Sequence, residues 1–299
     1  MKNGHCTKRY MKNEILRLFE FLEQEFRYQE AAGDSEFPIK HSFLEDSGKY
    51  INVLLGRLST GLTGSKTIMV DEYSGVTQAT TVYNSPGALG LNVLDSARLT
   101  AFRCGLVAAY VVWKTGKLGS LIALIGGGRI NLYTAYMLSL LGASEFVYIG
   151  GRKQPDKNIG VFRTVTDRSF KDGVENVRHA EVIITSTSNN SKDGLYSADK
   201  LGEPHLTISQ DGGFTLGAQY RKYKLFSDYP AQLKAHAKDE FMFDNRPTRY
   251  KFRPLYELGV GNEHVGVYLY GTIIADLVVA DFYEKYPGWF KGLPEQIRF

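Results

Sequence analysis

Apolar residues Ile15, Leu16, Phe19, Leu22 and Phe26 recur at helical spacing. They predict an amphipathic helix from Asn13 to about Tyr28, ended near Gly33, with residues 1–10 as a loose tail. The pattern then turns to β character. Tyr50–Leu55, Lys66–Val70 and Val76–Tyr83 are strand candidates in a small mixed sheet, followed by the turn sequence Asn84-Ser85-Pro86-Gly87. Asp95-Ser96 opens a helix through Ala97–Trp113, with Leu106, Val107, Tyr110 and Val111 on its apolar side. Beyond it, short apolar runs alternate with helical ones: strand Leu121–Ile125, helix Leu132–Leu141, strand Phe146–Ile149, then strands at Glu181–Thr185, Leu206–Ile208 and Lys224–Phe226. The charged, aromatic residues 234–253 are expected on the surface. A closing helix is predicted over Tyr268–Tyr286, with Gly271 inside it allowing close backbone approach.

Strand, glycine turn, helix and strand over residues 121–152 make one βαβ unit. Gly126-Gly127-Gly128 supplies the first two glycines of a dinucleotide fingerprint, and Arg129-Ile130 opens the helix whose N–H groups suit phosphate. The third fingerprint position is Asn131 rather than Gly or Ala, and a plain tight βα turn is the bland alternative. After the second strand the chain reads Gly150-Gly151-Arg152-Lys153. Two cations without a carboxylate suit a 2′-phosphate, so NADP(H) is expected in preference to NAD(H), against a solvated basic turn. Later strands end in Thr185-Ser186-Thr187, Ser209-Gln210-Asp211 and Ser227-Asp228, where a doubly wound sheet opens its ligand crevice. Aspartate also forms turns readily, so Asp211 and Asp228 have structural readings too. Arg103 lies in an otherwise apolar helix and needs an anionic partner, from the protein or from a ligand; its residue context alone favours an internal ion pair.

The 299 residues are enough for two domains, and 43% hydrophobic content allows a sizeable core. A net charge of +4, interspersed along the chain, gives no basic stripe for nucleic acid. Two cysteines and six histidines form no disulfide framework and no metal-ligand pattern. No run reaches membrane-spanning length and the start lacks the apolar core of a signal peptide, so a soluble, cytoplasmic protein is expected.

Taken in order, these pieces resemble the ornithine cyclodeaminase/μ-crystallin family from about Asn13 to Tyr286. Arg98–Gly105 resembles its "LTxxRTAA" helix, Ala123–Gly128 its "xxIGxGxQ" turn, and Glu181–Ser186 its "ADIIxTxT" strand. Ser209–Gly213 is similar to "xxxGxDxPGK" and Gly271–Ala280 to "GxAxxDLxxA". The resemblance implies an α/β fold. A Rossmann-type doubly wound parallel sheet spans residues 113–265, and a second, α+β substrate and dimerisation domain is built from residues 1–112 with 266–299. It further implies that Arg103 holds a substrate carboxylate, which reverses the residue-only preference, and that Asp211 handles a proton. Lys66 matches the active-site lysine, and Lys40 stands where a second carboxylate-binding arginine is common. Thr100, Gly126, Gly127, Gly128, Arg129, Ile130, Arg152, Lys153, Thr185, Ser186 and Thr187 are the expected cofactor contacts. Departures from the pattern, Gly212-Gly213-Phe214 for Pro-Gly-Lys and Arg-Cys-Gly for Arg-Thr-Ala, point to an altered substrate pocket.

The activity implied is NAD(P)H-dependent oxidoreduction at a carbon–nitrogen bond next to a carboxylate, of the ketimine reductase or amino-acid dehydrogenase type. The substrate would be a small amino acid, 2-oxo acid or cyclic imine, and the protein a homodimer. Two alternatives stand beside it: an ornithine cyclodeaminase-like ammonia lyase with recycled NAD, and a non-catalytic binder of a small ligand.

Overall fold

The chain begins in a helix of 30 residues, α1 (Asn3–Ala32), whose face Met11, Ile15, Leu18, Phe19, Leu22 and Phe26 is buried. The tail expected over residues 1–10 is therefore helical from Asn3, because each residue added to a packed helix costs far less than starting a new one. Gly33 ends it at φ +65°, as its position predicted. The computed structural model describes residues 3–33, 41–44, 49–71, 75–87, 90–95, 97–150, 166–167, 174–187, 198–211, 223–236, 251–291 and 293. Two units are present: Met1–Arg103 with Gly271–Leu293 and Arg298–Phe299, and Cys104–Tyr270 with Pro294–Ile297. The division falls between Arg103 and Cys104 and again at Gly271.

In the first unit, β1 (His41–Leu44), β2 (Lys49–Arg57), β3 (Thr63–Asp71), β4 (Gly75–Asn84) and β5 (Asn92–Asp95) form one antiparallel sheet in sequence order. The three predicted strands are its three long ones. The two short outer strands were missed, since four residues carry too little alternation to stand out. Helix α7 (Ile273–Lys285) lies against α1, β2 and β3 and is buried almost all round, with Ile273, Ile274, Leu277, Val278 and Phe282 at 5% exposure or less. It comes so close to β3 that a Cβ on Gly64 would stand 2.6 Å from Leu277. The short helix α8 (Pro287–Lys291) adds Trp289 and Phe290, whose rings meet Phe102 at centroid distances of 5.4 and 5.2 Å.

The closing helix is shorter than predicted. Val265–Tyr268 is strand, Gly271 turns the chain at φ +90° outside the helix, and Thr272 caps α7 by accepting from the Ile274 N–H at 3.3 Å. The predicted start, Tyr268, is the last residue of the strand, because periodicity alone does not place such a boundary.

In the second unit the described residues form an eight-stranded, all-parallel sheet. Its strands are β6 (Ile122–Ile125), β7 (Phe146–Ile149), β8 (Thr166–Asp167), β9 (Val182–Thr185), β10 (Leu206–Ser209), β11 (Lys224–Ser227), β12 (Phe252–Pro254) and β13 (Val265–Tyr268). Their order is β12-β11-β13-β10-β9-β6-β7-β8. The chain runs outward from β6 through β7 and β8, then returns to β9 on the other side of β6. The pair β6/β9 is thus the switch point of a doubly wound sheet. Strands β6, β7, β9 and β10 are buried at every residue, which is why they read as unbroken apolar runs. Helix α2 (Ala97–Lys114) contains the division between the units, and α3 (Arg129–Leu141) follows β6. A Cβ at Gly105 would meet Tyr133 Cβ at 2.8 Å and the Thr134 nitrogen at 2.9 Å, so glycine is what lets α2 pack on α3. That accounts for the glycine where the family pattern has alanine. Strands β8, β12 and β13 were not predicted; β8 holds two residues, and β12 holds three, two of them in the stretch expected to be surface.

Candidate functional sites

The switch point carries the glycine turn. Gly126 has φ +119°, and a Cβ there would lie 2.0 Å from the Ser186 carbonyl oxygen, so the turn and the end of β9 are in backbone contact. Gly126 N–H donates to Ile149 O at 2.8 Å, and Ser186 N–H to Ile125 O at 2.8 Å. Asn131, fully buried, donates its Nδ2 to both Ile125 O and Gly126 O at 3.0 Å. The departure from the glycine fingerprint is thus a side-chain tie that holds the turn. Gly128 is the N-cap of α3, with no side-chain capping bond, and a Cβ there would meet nothing within 4 Å. Gly128 and Arg129 are exposed, Gly127 and Ile130 half-buried. An open helix N-terminus with an adjacent cation fits a pyrophosphate, so these residues suit a dinucleotide.

Beside the turn, Asp211 joins the ends of two strands. Its Oδ1 accepts from Ser209 Oγ at 2.8 Å and Thr185 Oγ1 at 3.0 Å; its Oδ2 accepts from Thr187 Oγ1 at 2.9 Å and the Thr187 N–H at 3.2 Å. Both oxygens therefore act as acceptors towards hydroxyl and amide donors. Thr185 is buried, whereas Ser186, Thr187 and Asp211 are half-buried. Asp228, buried after β11, has a structural place: its Oδ1 accepts from the Tyr270 N–H at 2.9 Å.

The first unit holds a different cluster. Lys66 on β3 is 0% exposed. Its Nζ donates to Thr100 Oγ1 at 2.7 Å and to Asp276 Oδ1. Arg103, also buried, brings its Nε to 3.4 Å from the same Asp276 oxygen. Its guanidinium lies against Gly271, where a Cβ would stand 3.0 Å from an Nη atom. Glycine at φ +90° thus makes room for the arginine. Asp276 sits in the first turn of α7, where a negative charge also suits the helix dipole. The neighbouring cap Thr272 Oγ1 accepts from Gln29 Nε2 of α1 at 2.9 Å, fixing where the helix starts.

Solved structures share this architecture from end to end. Δ1-pyrroline-2-carboxylate reductase of Thermococcus litoralis, in complex with NADH and L-proline, superposes with a TM-score of 0.68 at 16% identity, over 92% of this chain and 94% of its own. An archaeal alanine dehydrogenase dimer with bound NAD gives 0.70 at 17% identity, over 94% and 93%. A probable ornithine cyclodeaminase from Bordetella pertussis Tohama I gives 0.70 at 14%, over 94% of each chain. The chain has their fold. No family model matches the sequence, and no curated protein does.

Within that fold the expected residues separate into two groups. Gly126, Gly127, Gly128, Arg129, Ile130, Thr185, Ser186, Thr187 and Asp211 lie at the carboxyl ends of β6, β9 and β10. Lys66, Thr100 and Arg103 lie in the other unit, where the Thr100 hydroxyl is a partner of Lys66. Lys40, Arg152 and Lys153 fall outside the described residues. Sequence reading missed Asp276, although it is the single charged residue among Gly271–Ala280; a lone carboxylate in a helix that apolar is a mark of buried pairing. It also missed Ser209 as a tie to Asp211 and treated Asn131 only as a mismatch.

Proposed function

We propose that this protein is a nicotinamide-dependent oxidoreductase acting on a carbon–nitrogen bond next to a carboxylate, as an imine reductase or amino-acid dehydrogenase. The observation that carries the reading is two buried cations, Lys66 and Arg103, brought to the same Asp276 oxygen, in a chain that also has an open glycine turn at the switch point of a parallel sheet. Two cations fixed in the protein interior suit a carboxylate, and guanidinium suits it best because it can bind both oxygens. Supporting it, the similar structures are named for a pyrroline-carboxylate reductase, an alanine dehydrogenase and an iminosuccinate reductase.

In this reading Gly126–Ile130 hold the pyrophosphate against the start of α3, and Ser186 and Thr187 border the cofactor. A bound nicotinamide supplies or accepts hydride. Arg103 and Lys66 bind and orient the substrate carboxylate, and Asp211 takes or returns the proton at nitrogen or water. NADP(H) is the favoured form because Arg152 and Lys153 follow β7 with no acidic residue between. Pairing of two copies belongs to the same proposal. It is supported by the dimer described for the archaeal alanine dehydrogenase, and by Leu91 and Val93, 69% and 64% exposed at the outer strand β5.

The test follows nicotinamide absorbance with purified protein and NADPH or NADH, against cyclic imino acids and 2-oxo acids with ammonia. Cofactor consumption that depends on one substrate and is lost in Arg103→Ala, with cofactor affinity kept, is the expected result. Flat traces, with ammonia released from a diamino acid in the presence of NAD, would overturn the reductase reading in favour of a cyclodeaminase.

A further inference from the structure

Asp276 uses its two oxygens unequally. Oδ1 meets both Lys66 Nζ and Arg103 Nε, while Oδ2 is buried without a hydrogen-bond partner. Directly across the sheet, Thr81 pairs with Lys66 in register, so the two side chains share a face. Thr81 Oγ1 is a second buried atom without a hydrogen-bond partner. Buried polar atoms are nearly always satisfied, and unmet ones mark places where a further polar group belongs. A carboxylate oxygen accepts only, so the group that answers Oδ2 must be a donor. A substrate with nitrogen next to its carboxylate offers one.

We infer that Asp276 is a substrate-binding residue whose Oδ2 accepts the N–H of the amino or imino group. The inference rests on the reading of this protein as an enzyme of amino or imino acids. Lys66, Arg103 and Asp276 then form one recognition unit for adjoining negative and positive charges on a small molecule. A carboxylate without the neighbouring nitrogen satisfies only half of it. The unit thereby selects for the α-nitrogen, whatever the side chain.

The experiment measures binding by calorimetry, with NADH or NADPH present, for two matched pairs: L-proline against cyclopentanecarboxylate, and L-alanine against propanoate. In wild-type protein the nitrogen-bearing member of a pair binds at least about tenfold more tightly, the range expected for a hydrogen bond to a charged group. Asp276→Asn brings that ratio to within about threefold. Lys66→Met weakens both members of the pair and leaves the ratio in place. A wild-type ratio near one overturns the proposal whether or not Asp276→Asn folds, and is what a bound water at Oδ2 would give. An unchanged ratio in folded Asp276→Asn overturns it as well. In both cases binding of the carboxylates leaves the functional reading standing. Failure of every acid to bind removes the reading and the proposal together.

Discussion

The two units handle polar chemistry in opposite ways. The parallel sheet keeps charge out: β6, β7, β9 and β10 hold no charged residue, and the carboxylate of Asp211 stands where strands end, beside Thr185, Ser186 and Thr187. The antiparallel unit does the reverse. It places Lys66 mid-strand at 0% exposure and covers it with a helix that brings Asp276. A sheet covered on both faces offers side chains an outlet only at its edges. A single sheet under one helix can bury a charge if the helix carries the counter-charge. Strand-end positions thus mark one site, whereas the other is marked by what neutralises a buried cation.

Removing the counter-charge should break the comparison most. Asp276→Ala leaves Lys66 and Arg103 facing each other without an anion and should lower stability by about 3–5 kcal/mol, read as a shift in the urea midpoint. Lys66→Met should cost clearly less, since Asp276 keeps Arg103; equal losses would mean that the pair is not the organising contact. Next comes the glycine turn. Gly126→Ala combines a left-handed backbone with overlap onto the Ser186 carbonyl and should cost roughly 2–4 kcal/mol, with dinucleotide affinity lost in parallel by fluorescence titration.

Asp211→Asn should be milder, about 1–3 kcal/mol, because the ties it disturbs are half-buried and an amide can still accept at one end. A thermal melt of the folded variant would measure it; a loss as large as that of Asp276→Ala would erase the contrast between edge and interior. The smallest effect at neutral pH concerns two tyrosines of the parallel-sheet unit. Burial pushes Tyr136 and Tyr223 up to about 12, so their phenols stay protonated in the folded chain where the unfolded chain ionises near 10. Their contribution is complete below pH 10 and is lost as pH rises towards 12, visible as falling unfolding temperature across that window. Tyr223→Phe should flatten part of that fall.

The parallel-sheet unit was largely legible in the sequence because its signals are local. Leu121–Ile125, the three glycines and Phe146–Ile149 stand within 30 residues, and strand ends can be inferred from where apolar runs stop. The other unit was legible in its long elements and in single residues such as Lys66 and Arg103. Its logic was not, because Asp276 stands 210 residues from Lys66 and no spacing rule connects them. Short strands such as β1, β5 and β12 were missed for lack of pattern. Strand β13 was not read as one: Gly266 interrupts its apolar run, and only Tyr268 overlaps the predicted helix.

The distance between Lys66 and Asp276 also sets a schedule on the ribosome. At ~5–20 residues per second, about 10–40 s of synthesis separates the lysine codon from the aspartate codon. The residues Cys104–Tyr270 are synthesised within that interval and include all eight described parallel strands. The first unit, begun earliest, closes last: its sheet waits with a cation on the face that α7 will cover. Released chains that end at Tyr270 should therefore contain a protected parallel sheet beside an N-terminal segment open to protease.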